Sequence, residues 1–205
     1  MSKKIVVIVL AIGFVLLLVC AYVLYQELGQ QLAADQLILS TQPTAPSSTP
    51  SDPNVTAPTE TLPLAPDFVI YDEDGKEVRL SDFFGKPIVL NFWASWCGPC
   101  KMEMPDFNEK YLEMGEEIHF LMINMTDGYR ETVDIASTFI QTQGYTFPVY
   151  YDTAGNSSMT YGVYSLPTTF FIDAEGHAIA QAVGAIDAET LQRGIDMIVN
   201  SKRQF

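Results

Sequence analysis

Two of the chain's three cysteines, Cys97 and Cys100, stand three positions apart in "NFWASWCGPCKMEMP", residues 91–105. A pair at this spacing serves either as a redox dithiol or as half of a zinc site. Zinc needs two further nitrogen or sulfur ligands. The two histidines, His119 and His177, fall in an apolar run and in a distant hairpin, and no second C-x-x-C exists, so no metal is expected. A purely structural disulfide is also a poor reading, because closing so small a loop removes little entropy from the unfolded chain. The redox dithiol is the reading that remains.

What the pair can do depends on the elements around it. "KPIVLNFWA" (86–94) is an apolar run rich in β-branched and aromatic residues, read as a strand buried on both faces. "GPCKMEMPDFNEKYLEMG" (98–115) follows with helical spacing and stops at Gly115. Cys97 therefore falls at the start of a helix, where unpaired N–H groups and the positive end of the dipole stabilise a thiolate. That marks Cys97 as the nucleophile. Cys100, one turn further, is shielded but within reach of the Cys97 sulfur, so it resolves a mixed disulfide by intramolecular attack. Pro99 occupies the first turn, where its missing N–H costs nothing, and Gly98 leaves the approach to sulfur open. Pro105 removes an amide deeper in the helix and predicts a kink there.

The same patterning assigns the rest of the domain, residues 62–205. "DFVIYDEDGKEVRL" (67–80) reads as a hairpin about Asp74-Gly75, and "IHFLMINM" (118–125) as a second buried strand. Next come a helix over about 130–143, a short strand at "FPVYYD", a short helix near 156–161 and a strand at "TTFFID". A turn at Glu175-Gly176, a strand at "HAIAQAV" and a helix over about 187–200 complete it. Strands alternating with helices predict an α/β fold with parallel pairs, closed by an antiparallel hairpin.

The N-terminal part has a different character. Residues 5–25 carry no charge and no proline and, as a helix, would span about 31 Å, enough to cross a bilayer core. With Lys3-Lys4 before this span and Glu27 and Asp35 after it, residues 1–4 are expected in the cytoplasm and the remainder outside. A cleaved signal peptide is the competing reading, but the apolar run exceeds an ordinary h-region and no small-x-small cleavage site follows directly. Lipid attachment at Cys20 is a further alternative, disfavoured by Val19 before it. Residues 26–61 form a linker region, whose segment 41–60 holds five prolines, five threonines and three serines and is expected to be extended. Asn54-Val55-Thr56 matches a glycosylation acceptor, a weak signal alone. A net charge of −14 with no long basic stretch excludes a nucleic-acid partner and suits a soluble surface domain.

"WCGPC" matches the thioredoxin active-site motif, and the chain after residue 62 resembles the membrane-anchored thioredoxin-like proteins of the TlpA/ResA type. The likeness rests on "LSDFFGKPIVLNFWASWCGPCKMEMP", on "SLPTTFFID" and on an extra segment over about 127–161 between the halves of the core. It implies a thioredoxin-like fold with a mixed central sheet flanked by helices, an N-terminal hairpin and a central insertion. It implies an extracytoplasmic thiol-disulfide oxidoreductase with a redox-active Cys97–Cys100 disulfide and no cofactor. Its partners would be protein disulfides, such as apocytochrome c or an oxidised repair enzyme, and a membrane electron donor. The Gly98-Pro99 dipeptide resembles the reducing thioredoxins. The resemblance also implies a cis Leu166–Pro167 bond facing the cysteines, with Leu166 and Pro167 binding substrate beside Trp96, Gly98 and Pro99. Thioredoxin carries a buried aspartate six residues before its first cysteine, whereas here Asn91 stands there and cannot titrate. Glu103, one turn beyond Cys100, matches an active-site glutamate of the ResA type and would carry protons, desolvated by Met102 or Met104.

Other functions fit the same fold. An oxidase of secreted proteins would use the same dithiol in the opposite direction. A thiol peroxidase would want a threonine three residues before its cysteine, where Ala94 stands, and a non-enzymatic binding module would not need an intact C-x-x-C.

Overall fold

The computed structural model describes residues 62–201, the 37–39 segment and positions 13, 17, 19 and 20. Met1–Gln36 and Leu37–Phe205 are separate units. Most of the expected span 5–25 and most of the 26–61 linker region lie outside the described residues, and among the described residues no helix is long and apolar enough to cross a membrane.

Eight strands form one mixed sheet: β1 (Leu37–Leu39), β2 (Val69–Tyr71), β3 (Glu77–Arg79), β4 (Ile88–Trp93), β5 (His119–Asn124), β6 (Val149–Tyr151), β7 (Thr168–Ile172) and β8 (Ala178–Val183), in the order β1-β8-β7-β4-β5-β6-β2-β3. β4, β5 and β6 run parallel, and β7 lies antiparallel on the other side of β4. All six residues of β4 are buried, as expected of a strand covered on both faces. The expected hairpins β2–β3 and β7–β8 are present, and Gly75, at φ 75°, takes the left-handed conformation that the first turn requires. One segment departs from the sequence reading. Residues 37–39, taken as linker, pair antiparallel with β8, because Leu37-Ile38-Leu39 is an apolar triplet beside an open sheet edge.

Among the described residues four α-helices pack about the sheet: α1 (Gly98–Met114), α2 (Val133–Gln143), α3 (Asn156–Thr160) and α4 (Ala188–Asn200). In α1 the buried residues are Cys100, Glu103, Met104 and Phe107, the i, i+3, i+4, i+7 stripe of a helix face turned to the core. α1 continues through Pro105 to Met114 without interruption. Gly115 ends it at φ −63°, so the glycine serves a close approach: a Cβ there would lie 2.6 Å from the Tyr111 carbonyl oxygen. α4 buries Leu191, Gly194, Ile195 and Ile198, and a Cβ on Gly194 would run into the Phe171 ring of β7. Asp187 caps α4 by accepting from Thr190 N–H at 2.8 Å.

α2 begins three residues later than expected. Thr132 is its cap, and residues 127–131 instead fold around Asp127, whose Oδ1 accepts the N–H groups of Tyr129, Arg130 and Glu131 at 2.7–2.9 Å. An aspartate that satisfies three consecutive amides favours this turn over helix. The expected insertion thus consists of this turn, α2, β6 and α3. Two apolar clusters complete the packing on opposite faces of the sheet. Val89, Trp93, Phe107, Phe120 and Ile195 belong to one, and Ile70, Leu90, Phe92, Leu121 and Phe170 to the other. β4 feeds both alternately, as a period-2 strand must.

Candidate active site

Cys97 sits at the junction of β4 and α1, in extended backbone at the N-cap, and is bonded to Cys100 as a disulfide with Cα atoms 5.3 Å apart. The Cys97 sulfur accepts the Cys100 N–H at 3.2 Å, so it already takes a hydrogen bond from the first turn of α1. A thiolate at this position would receive the same donor and the helix dipole. Cys100 is fully buried, while Gly98 and Pro99 are exposed at the helix start. Trp96 is 42% exposed, with the Arg130 guanidinium carbon over its ring, 3.9 Å from the centroid.

The Leu166–Pro167 bond is cis, in agreement with the sequence expectation. Thr168, which follows it, pairs in register with Phe92 near the C-terminal end of β4, so Leu166-Pro167 sits at the sheet end from which the cysteine loop departs. Leu166 packs partly buried on both apolar clusters.

Glu103 is 2% exposed on the inner stripe of α1. Asn91 Nδ2 donates to its Oε1 at 2.8 Å, and Ile186 N–H donates to its Oε2 at 3.0 Å. Burial raises its pKa to about 8, more than these two donors lower it, with Asp106 adding a small upward push. Met104 shares the buried face, but Met102 is 70% exposed, so Met104 and the sheet desolvate the carboxyl and Met102 does not. Position i+2 points away from the stripe that carries Cys100 and Glu103. Asn91 also donates to Thr169 Oγ1 at 3.0 Å, across its registered pair on β7. Asn91 does not titrate, but it binds the group that does.

Glu131 is the residue that the sequence reading missed. It is fully buried, and it accepts three hydrogen bonds: Ser95 N–H (2.7 Å) and Asn124 Nδ2 (2.7 Å) at Oε1, and Ser95 Oγ–H (2.6 Å) at Oε2. The one trace of it in the sequence is Asn124, a polar side chain at the end of an apolar strand, which must find a partner when buried. Among the described residues no group of three or more His, Cys, Asp and Glu side chains is arranged to hold a metal ion.

A dithiol at a helix N-terminus, a cis-proline turn at the same end of a mixed sheet and a buried acid beneath them define a thiol-disulfide oxidoreductase of thioredoxin-like fold. Its relatives agree. The AhpC/TSA family matches residues 63–181, and the chain belongs to it, with its likeness concentrated in the ResA type. A thiol-disulfide oxidoreductase ResA from Bacillus thuringiensis subsp. konkukian is 41% identical over 137 residues, covering 65% of this chain and 76% of that protein. Among solved structures, the pneumococcal exposed lipoprotein thioredoxin Etrx1 from Streptococcus pneumoniae strain TIGR4 is 34% identical with a TM-score of 0.55, covering 64% of this chain and 98% of that one. A thiol:disulfide interchange protein of the thioredoxin family from Chlorobium tepidum TLS is 26% identical with a TM-score of 0.59, covering 68% and 97%.

Proposed function

We propose that this oxidoreductase is tethered to the cell membrane by residues 5–25, N-terminus in the cytoplasm, and reduces disulfides of extracytoplasmic proteins through Cys97. The observation that carries the reading is Cys97 at the N-cap of α1, its sulfur hydrogen-bonded by the Cys100 amide, with Glu103, its pKa raised by burial to about 8, one turn below Cys100. The Cys97 thiolate attacks a client disulfide, forming a Cys97–client bond and expelling the client's second sulfur as a thiolate. In molecules whose Glu103 is ionised, the Cys100 thiol gives its proton to that carboxylate and attacks the Cys97 sulfur, expelling the client sulfur bound there as a thiolate, which takes up a proton from water, and leaving the Cys97–Cys100 disulfide. Two electrons pass from the dithiol to the client. Trp96, Gly98, Pro99, Leu166 and Pro167 form the surface a client strand meets, the backbone of Leu166 pairing with it as a short added strand.

An oxidised chain outside the cytoplasm needs renewed electrons, so a membrane thiol donor is part of the reading. The pneumococcal neighbour, described as an exposed lipoprotein, supports placement on the outer face. Clients in cytochrome c maturation or in repair of oxidised surface proteins fit a ResA-type relative.

The test is trapping. Cys100→Ser in the full chain should accumulate mixed disulfides through Cys97 in intact cells, and a membrane-impermeant maleimide added beforehand should abolish them. Trapping that persists under this reagent would place the domain inside. A potential near about −270 mV supports a reductase, and one near about −120 mV would make the protein an oxidase of secreted proteins.

A further inference from the structure

The loop that carries Cys97 has no regular structure of its own between the end of β4 at Trp93 and the start of α1 at Gly98. One bond inside it, Cys97 N–H to the Ala94 carbonyl at 3.1 Å, closes a turn. The first turn of α1 holds the loop's end, through Lys101 N–H to the Cys97 carbonyl at 3.2 Å, and the insertion holds its middle. Glu131 takes both the N–H and the Oγ–H of Ser95, two residues before the nucleophile, and Arg130 lies on Trp96, one residue before it. The turn that presents this pair is itself fixed. Asp127 satisfies three of its amides, Gly128 N–H reaches the Glu131 carbonyl at 3.0 Å with φ 74°, and Asn124 ties Glu131 to the end of β5.

A fully buried glutamate with no cationic partner among the described residues is a costly thing to fold, and packing alone does not call for one. We propose that Glu131 is a positioning residue for Cys97. By gripping Ser95 it fixes the cysteine loop against the first turn of α1, so that the amide of Cys100 points at the Cys97 sulfur and holds the thiolate. The insertion is therefore part of the reactive geometry of the dithiol, entering through Ser95 and Trp96. This rests on Cys97 being the attacking thiol, as proposed above.

The test uses the reduced full chain and iodoacetamide at one fixed pH, with the labelled cysteine identified by peptide mass and melting followed in parallel. Glu131→Ala should slow labelling of Cys97 on the order of tenfold, the lower end of the effect of removing a group that orients a metal ligand, and shift the reduction potential of the pair. Ser95→Ala, which removes one of the two bonds, should slow labelling by about threefold. Glu131→Gln keeps an acceptor for the Ser95 amide and should recover most of the rate. Should Glu131→Ala fail to fold, Ser95→Ala and Glu131→Gln carry the comparison. Native labelling rates and an unchanged potential in the folded variants would overturn the proposal and leave Glu131 a stabilising residue. Labelling of Cys100 ahead of Cys97 in the native chain would instead overturn the nucleophile assignment, and the proposal with it.

Discussion

Glu103 and Glu131 are two buried glutamates near one dithiol, neither with a cationic partner among the described residues, yet their surroundings differ. Glu103 lies on the inner face of α1 with two donors and burial that outweighs them, so its proton stays bound up to about pH 8. Glu131 lies in a loop, its two oxygens filled by three donors at 2.6–2.7 Å, two of them from the residue it restrains. Burial raises the Glu103 pKa into the range where it can exchange a proton, and the hydrogen bonds of Glu131 tie it to the cysteine loop through Ser95 and to β5 through Asn124. The difference assigns proton movement to Glu103 and geometry to Glu131.

Two substitutions, giving three measurements, probe that contrast. Glu103→Gln keeps the shape but cannot release a proton, so disulfide exchange at neutral pH should fall on the order of 10²-fold, read with a small-molecule disulfide as substrate. A fall of under threefold would merge the two glutamates into one structural class.

The same variant should flatten part of the stability curve. In the fold Glu103 holds its proton to about pH 8, whereas its ordinary value is 4.5. Between these values the native state binds more protons than the unfolded chain, so this group makes stability fall as pH rises, by up to ~1.4 kcal/mol per pH unit. Urea unfolding of native and Glu103→Gln domains at pH 5 and pH 8 should show the native protein losing more stability between them, and parallel losses would contradict the assignment.

The smallest expected effect belongs to Arg130→Gln. It removes the cation from the Trp96 face, which is partly exposed, so the loss in stability should stay within about 1 kcal/mol, measured by the same unfolding. A larger loss would move the main support of the cysteine loop from Glu131 to Arg130.

Much of this arrangement is legible in residues 86–115. A buried strand, a C-x-x-C and a helical stripe in which Glu103 shares the spacing of Cys100, Met104 and Phe107 already place an acid inside the fold. Asn91, read as a lost acid, is in fact the donor to Glu103, a link that needs β4 and α1 packed together across 12 positions of sequence. Glu131 left almost no trace, because its meaning lies in Ser95, 36 residues earlier, and a loop carries no periodicity from which burial could be read. The strand at residues 37–39 was hidden for a related reason. Three apolar residues in a polar stretch become a strand only where the edge of β8 is available to pair with them.

The central claim is that Glu103 supplies the proton when the disulfide opens, and one pH profile tests it. When a small thiolate attacks the Cys97 sulfur of the oxidised chain, Cys100 leaves and takes a proton from Glu103. The rate of reduction, divided by the fraction of attacking thiolate, should be level below about pH 8 and fall above it, as Glu103 ionises at the raised pKa that burial gives it. Glu103→Gln should be slower and flat across that range. A native profile without a break near pH 8, or a break that survives in Glu103→Gln, would contradict the account.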